Sequence, residues 1–136
     1  MSAVHNKQVA ELMPLVNTDA DRLKMALDGN LIRNCTDEEI KQGIRYAMIM
    51  VGIRSVSISA IDETEKQITI AFIRRHYSGH TITEFKMAFD KAVARELDLL
   101  DKEVTAYDNF SCQYIGLIMG AYRKWASSVQ PLIKSD

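Results

Sequence analysis

The side chains with the most recognisable chemistry are basic, and they gather where helices are expected to end. Arg74, Arg75 and His76 form one group. Lys86, Lys91 and Arg95 form a second, and Arg123 and Lys124 a third, flanked by Tyr122 and Trp125. Cations beside aromatic rings serve single-stranded nucleic-acid binding, since phosphates need positive charge and bases need a stacking surface. The same cations also suit helix C-termini, where they offset the negative end of the helix dipole. If these ends converge, Arg74, Arg75, Lys91, Arg123, Lys124 and Trp125 make a patch for DNA or for an acidic partner surface. If they do not, the cations are ordinary helix-end charges.

Other chemistries find less support. The histidines are His5, His76 and His80. His76 and His80 straddle Gly79, which should break the helix between them and spoil the shared face that an i, i+4 metal pair needs. A helix-terminal histidine bonding backbone carbonyls is the plainer expectation. Ser111 and Cys112 sit at an expected helix start, which lowers a thiol's pKa. Ser111 is accounted for as a cap, and Cys112 as a small buried apolar group. The acid pairs Glu38-Glu39 and Asp62-Glu63 lie in first helical turns, where acids are expected in any case. Gly116 and Gly120 lie inside an amphipathic helix, not in a phosphate loop ahead of one. We expect no catalytic residue, no metal and no cofactor.

The bulk properties agree with a binding module. The 136 residues suit one domain, with 47% apolar and 26% charged residues, ordinary values for a folded chain. The formal net charge of −1 argues against a generic polyanion binder while leaving room for a local basic patch. Two cysteines, Cys35 and Cys112, far apart in sequence, suggest reduced thiols. The start Met-Ser-Ala-Val-His-Asn-Lys lacks the apolar core of a signal peptide. The apolar run Tyr46 to Ile53 is far short of the about 20 residues that span a bilayer. A soluble cytoplasmic protein with no membrane contact is expected.

The elements that must position these residues are helices. Residues 1–16 read as an arm, helical or disordered, with Pro14 stopping its weak periodicity. Asn17 and Thr18 offer N-cap oxygens, with Asp19 and Asp21 in the first turn, for a short helix bearing Leu23, Met25, Ala26 and Leu27, which ends at Gly29. Thr36-Asp37-Glu38-Glu39 is a capping box, with Cys35 and Ile40 at the staple positions. Ile40, Ile44, Ala47, Met48 and Val51 then form a stripe, and we expect this to be the central core helix, ending at Gly52. Ile53 to Ile61 alternates as a strand would, yet no partner strand is visible, so an extended linker is expected. Asp62 and Glu65 cap a helix over Glu63 to Tyr77 with Ile68, Phe72 and Ile73 on one side. Thr69 and Ile70 keep a strand over Gln67 to Ile73 as an alternative.

Thr81-Ile82-Thr83-Glu84 repeats the capping box, and Phe85, Ala88, Phe89, Ala92 and Val93 make the clearest helical stripe in the chain. Lys86, Asp90, Lys91 and Arg95 fall off that stripe. Glu96 to Glu103 ends this helix loosely, and Asp108-Asn109 reads as a turn. Ser111 caps the last helix, stapled by Phe110 and Ile115. Ile115, Ile118, Met119, Tyr122 and Trp125 or Ala126 form its buried face, with Gly116 and Gly120 as a smooth strip for close helix approach. Pro131 should close the ordered region, leaving 131–136 frayed. The fold class expected is all-α, a compact single-domain bundle of about five helices over residues 17–130. Thr-x-x-Glu-apolar-Lys occurs at both Thr36 and Thr81; two well-made helix starts explain this more simply than a duplicated unit.

The run Thr81-x-x-Glu-Phe-Lys-x-Ala-Phe, with Leu97-Asp98-Leu99, Tyr107-x-Asn-Phe-Ser111 and Tyr114-x-x-x-Ile118-Met119-x-Ala-Tyr-Arg-x-Trp125, carries a resemblance. It resembles small proteins of phages and mobile elements of Bacteroidetes-type bacteria, some of which look like replication accessory proteins or helicase loaders. The likeness covers the chain from about Thr36 onward, on helix-building residues. It implies a DNA-replication adaptor in the host cytoplasm that docks on a replicative helicase or other replication protein and touches single-stranded DNA. The absence of a P-loop sequence sets it apart from loaders that carry their own ATPase, and the acidic segment Glu96 to Glu103 is a poor surface for DNA. From a different class comes a self-assembling virion or structural protein, a homo-oligomer joined through Met13, Leu99, Leu100 and Leu132.

Overall fold

The computed structural model describes residues 18–106 and 110–133, the side chains of Ser55 and Val56 apart. Its helices are α1 (Asp19–Leu27), α2 (Asp37–Met50), α3 (Ser55–Ser59), α4 (Glu63–Tyr77), α5 (Ile82–Val93), α6 (Asp101–Val104) and α7 (Cys112–Val129), with single 3-10 turns at Ile32–Asn34 and Gln130–Leu132. The fold is all-α, and five of these helices are nine residues or longer. No strand occurs among the described residues; Leu31 and Thr81 make one isolated antiparallel bridge. The expected arm at 1–16, including Met13 and Pro14, and the turn at Asp108-Asn109 lie outside the described residues.

The helix starts are where capping chemistry puts them. Thr18 accepts from the Asp21 amide, Asp62 from Thr64 and Ser111 from Tyr114. Thr36 with Glu39, and Thr81 with Glu84, both close complete capping boxes. Each satisfies amide groups that the helix itself leaves unbonded. At the other end of α2, Gly52 takes φ 94°, the left-handed conformation that a side chain would strain.

The core is organised around α5. It packs against α1, α2 and α7, and buries Phe85, Ala88, Phe89 and Ala92 completely or nearly so. This corrects the expectation that α2 is central. α2 lies to one side between α5 and α4, and Ile49 is 49% exposed on its outer face. Gly43 is the close approach here: a Cβ would meet Ile82 Cδ1 at 2.7 Å. The strip expected at Gly116 and Gly120 is no tight approach: a Cβ at Gly116 would lie 3.9 Å from the Tyr77 hydroxyl and 4.0 Å from Phe72, and one at Gly120 would meet nothing within 4 Å.

Three further expectations change. Residues 55–59 form a helical turn instead of extended chain, with Ile58 N–H bonding Arg54 O at 3.0 Å. With no strand alongside, a turn is the way this backbone satisfies its own donors. Gln67 to Ile73 is helix, as expected, and the strand alternative falls away, but its buried face runs through Ile70, Ile73 and Tyr77. Ile68, placed on the inner side by its hydrophobicity, is 59% exposed; in α1, Met25 is 60% exposed. Finally, Pro131 does not end the ordered chain. It sits in the first turn of a 3-10 helix, where its missing N–H costs nothing, and Ile133 packs against the core.

Candidate functional site

The last turn of a helix leaves carbonyls without intrahelical partners. At the end of α4, arginines from elsewhere fill this role. Arg123 Nη2 donates to His76 O at 2.7 Å, and Arg33 Nε donates to Ser78 O at 3.3 Å. The Arg123 guanidinium also lies over the Tyr77 ring, 4.8 Å from its centroid. One turn back, Arg74 Nη2 donates to Cys35 O at 3.0 Å and to Asp37 Oδ1 at 2.6 Å. The end of α4 therefore meets α7, though not at its end. Arg123 and Lys124 do not end the last helix; α7 continues to Val129, so they meet α4 from its body.

The six candidate residues separate into three kinds. Arg74 and Arg123 are basic and near the surface, yet committed to backbone carbonyls. Arg75 and Lys124 are exposed. Lys91 and Trp125 belong to neither group. The Lys91 side chain is 3% exposed, its Nζ lies 4.0 Å from the centre of the Trp125 ring, and it pairs with Glu96 at 3.3 Å and Asp19 at 3.6 Å. A lysine expected on the polar side of α5 is thus buried, and the indole face expected to stack on bases is covered by its ammonium. Lys91 is removed from the surface patch, and Trp125, half-buried, has one ring face closed to a base.

A buried polar network stands behind this end of the molecule. Glu84 is 2% exposed. Its Oε1 accepts from the Thr81 amide at 3.0 Å; its Oε2 accepts from the Tyr122 hydroxyl at 2.8 Å and faces His80 Nδ1 at 3.2 Å. Thr81 Oγ1 in turn donates to Ala26 O, tying the end of α1 to the start of α5. On the outer side, Arg123 Nε donates to His80 Nε2 at 3.0 Å. An arginine has no lone pair to offer, so His80 Nε2 must be the acceptor and Nδ1 must carry the proton that points to Glu84. Burial pushes the Glu84 carboxyl up, but hydrogen bonds from His80, the Thr81 amide and Tyr122 outweigh it and hold the group below its ordinary value. Burial and the Glu84 carboxylate drive the Tyr122 phenol far above its ordinary value.

A carboxylate–histidine pair is also how enzymes orient a general base. Here the nitrogen that would take a substrate proton is occupied by Arg123, so the network orders the α4–α5–α7 junction. Its members were legible in part. Glu84, Ala88, Lys91 and Ala92 follow an i, i+4, i+7, i+8 row, so extending the stripe back by one turn lands on Glu84, and one step aside lands on Lys91. Read as a cap and a surface cation, both escaped that pattern.

A second feature lies across the molecule. A cleft of about 270 Å³ opens between α2, α3 and α4. Ile44, Met48, Ile53, Ile58 and Ile61 form its apolar wall, with Phe110 at one side and Lys41, Arg45, Lys66 and Glu65 around it. The isoleucines of 53–61 were expected to pack on the core, and they do, but the short turn of α3 leaves this space beneath it.

Among the described residues, no three His, Cys, Asp or Glu side chains gather as metal ligands would, and every fully buried side-chain nitrogen or oxygen has a hydrogen-bond partner. No helix among them is long and apolar enough to cross a membrane. Comparison with protein-family models, curated proteins and solved structures finds no match to this chain.

Proposed function

We propose that this chain is a non-enzymatic accessory protein of phage DNA replication that docks on a replicative helicase or other replication protein in the host cytoplasm. The observation that carries the docking surface is the meeting of Arg33 and Arg123 on the carbonyls at the end of α4, one turn from Arg74, with Arg75 and Lys124 exposed next to Arg74 and Arg123 in the sequence. Phage replication and the helicase rest on the resemblance stated above and on nothing in the geometry. An acidic protein surface suits this face better than a bare DNA strand. The arginines are held rigidly at low entropic cost to binding, which favours a shaped partner. Stacking on one face of Trp125, which strand binding would use, is blocked by Lys91.

The test is co-purification with the helicase, using Arg75→Glu/Lys124→Glu because neither side chain takes part in the junction. Binding should fall with added salt and be lost in the double variant. Binding that ignores both changes refutes the surface. Fluorescence anisotropy with a labelled single strand should show, at most, weak and steeply salt-dependent association.

Self-assembly as a virion-associated protein keeps one observation in its favour: Leu100 and Leu132 are 59% and 66% exposed. Leu99, by contrast, packs against the core. Sedimentation of the full chain as a discrete high-order oligomer, reduced to monomer by Leu100→Lys/Leu132→Lys, would support that role; a monomer at all concentrations would remove it.

A further inference from the structure

We propose that the cleft between α2, α3 and α4 is a binding site for a small amphiphilic carboxylate, a short acyl or aryl chain bearing one acid group. The argument has three parts. The space is concave and its wall is aliphatic: Ile44, Met48, Ile53 and Ile58 are each less than 9% exposed, yet together they face an opening of about 270 Å³. A concave apolar wall open to water is covered most favourably by hydrocarbon.

Size limits the ligand. Sites for drug-sized molecules run from about 300 to 1,000 Å³, so this cleft takes something smaller.

Charge selects its polar end. Three cations, Lys41, Arg45 and Lys66, line the cleft against one carboxylate, Glu65. Lys41 is engaged by Glu63 at 3.4 Å, and Lys66 shares that carboxylate's field, which leaves Arg45, with Lys66 beside it, to meet an anion. A neutral chain would leave that charge unused, and an ammonium would be repelled by it. Thr69 and Ser57 add hydroxyls to the lining, and the Thr69 hydroxyl already donates to Glu65 O. The acid group therefore sits toward Arg45 and Lys66, and the chain runs inward along Ile44 and Ile58.

Calorimetric titration of the full chain tests this with three probes of equal length: octanoate, octan-1-ol and octylammonium. Octanoate should bind one to one and be the tightest of the three. Hexanoate, two methylenes shorter, should bind about fifteenfold more weakly, at about fourfold per buried methylene. Arg45→Glu/Lys66→Glu should weaken octanoate about tenfold, the sum of two partly exposed ion pairs, and leave octan-1-ol unchanged. Ser57→Trp, which fills the cleft, should abolish binding of every probe while circular dichroism shows the helices intact. The proposal is overturned if octylammonium or octan-1-ol binds as tightly as octanoate. It is equally overturned if folded Ser57→Trp keeps its affinity, or if octanoate shows no saturable binding.

Discussion

Removing the Glu84 carboxylate should be among the most damaging single changes available in this chain. In Glu84→Ala the Thr81 amide and the Tyr122 hydroxyl both lose their acceptor, and both residues are within 1% of complete burial. An orphaned buried donor costs about 1–3 kcal/mol. His80 is partly open to water and can recover a partner there, so it adds little. Two orphans together give a loss of about 2–6 kcal/mol, which brackets the about 3–5 kcal/mol for removing one partner of a buried charge pair. Tyr122→Phe deletes one donor without stranding a second, and should cost about 1–2 kcal/mol. The double variant should be less destabilised than the sum by about 1–2 kcal/mol, because the stranded hydroxyl is gone. Urea unfolding at neutral pH, followed by circular dichroism and Trp125 fluorescence, measures all three. Glu84→Gln keeps the volume and isolates the charge. Because the folded Glu84 carboxyl titrates below its ordinary 4.5, the unfolded chain takes up the proton first as pH falls. Its stabilisation is complete above 4.5 and disappears as pH drops through the folded value; Glu84→Gln should lack that acid limb. A Glu84→Ala cost under about 1 kcal/mol, or strict additivity with Tyr122→Phe, would show that the network is not a coupled unit.

Two further outcomes follow from the same geometry. Lys91→Ala should destabilise the fold by about 1–2 kcal/mol, through the lost cation–ring contact and two ion pairs whose carboxylates are partly exposed, while leaving partner and strand binding untouched; a weakened partner affinity in the folded variant would return Lys91 to the interface. At high pH, the hydrogen bond to Asp90 together with burial pushes Tyr46 up to about 12, and burial pushes Tyr114 up to about 12. Unfolded phenols ionise near 10.0, so this stabilisation is full below that value and is lost as pH rises from there toward 12. Absorbance at the phenolate band should show both tyrosines titrating well above 10.0, and ionisation near 10.0 with intact circular dichroism would contradict their placement.

The helices were legible because their causes are local. Thr36 with Glu39, Thr81 with Glu84, and Ser111 with the Tyr114 amide are bonds between residues three apart, and the stripes they introduce report a period that the backbone imposes. The same local rules failed where a residue's role depends on what lies opposite. Ile68 and Met25 are hydrophobic but exposed, since none of the described helices covers them. Residues 55–59 carry strand-like alternation but have no strand to pair with, so they turn.

The two capping boxes put the division most sharply. Thr36-x-x-Glu39 and Thr81-x-x-Glu84 share a pattern and make the same local bonds, and so much the sequence by itself determined. Glu39 stays exposed at the rim, whereas Glu84 is sealed beneath α7 against Tyr122 and His80. Lys91 was likewise drawn inward by a tryptophan thirty-four residues away. Capping is decided by neighbours along the chain; burial is decided by which helix arrives overhead, and only the packed bundle supplies that.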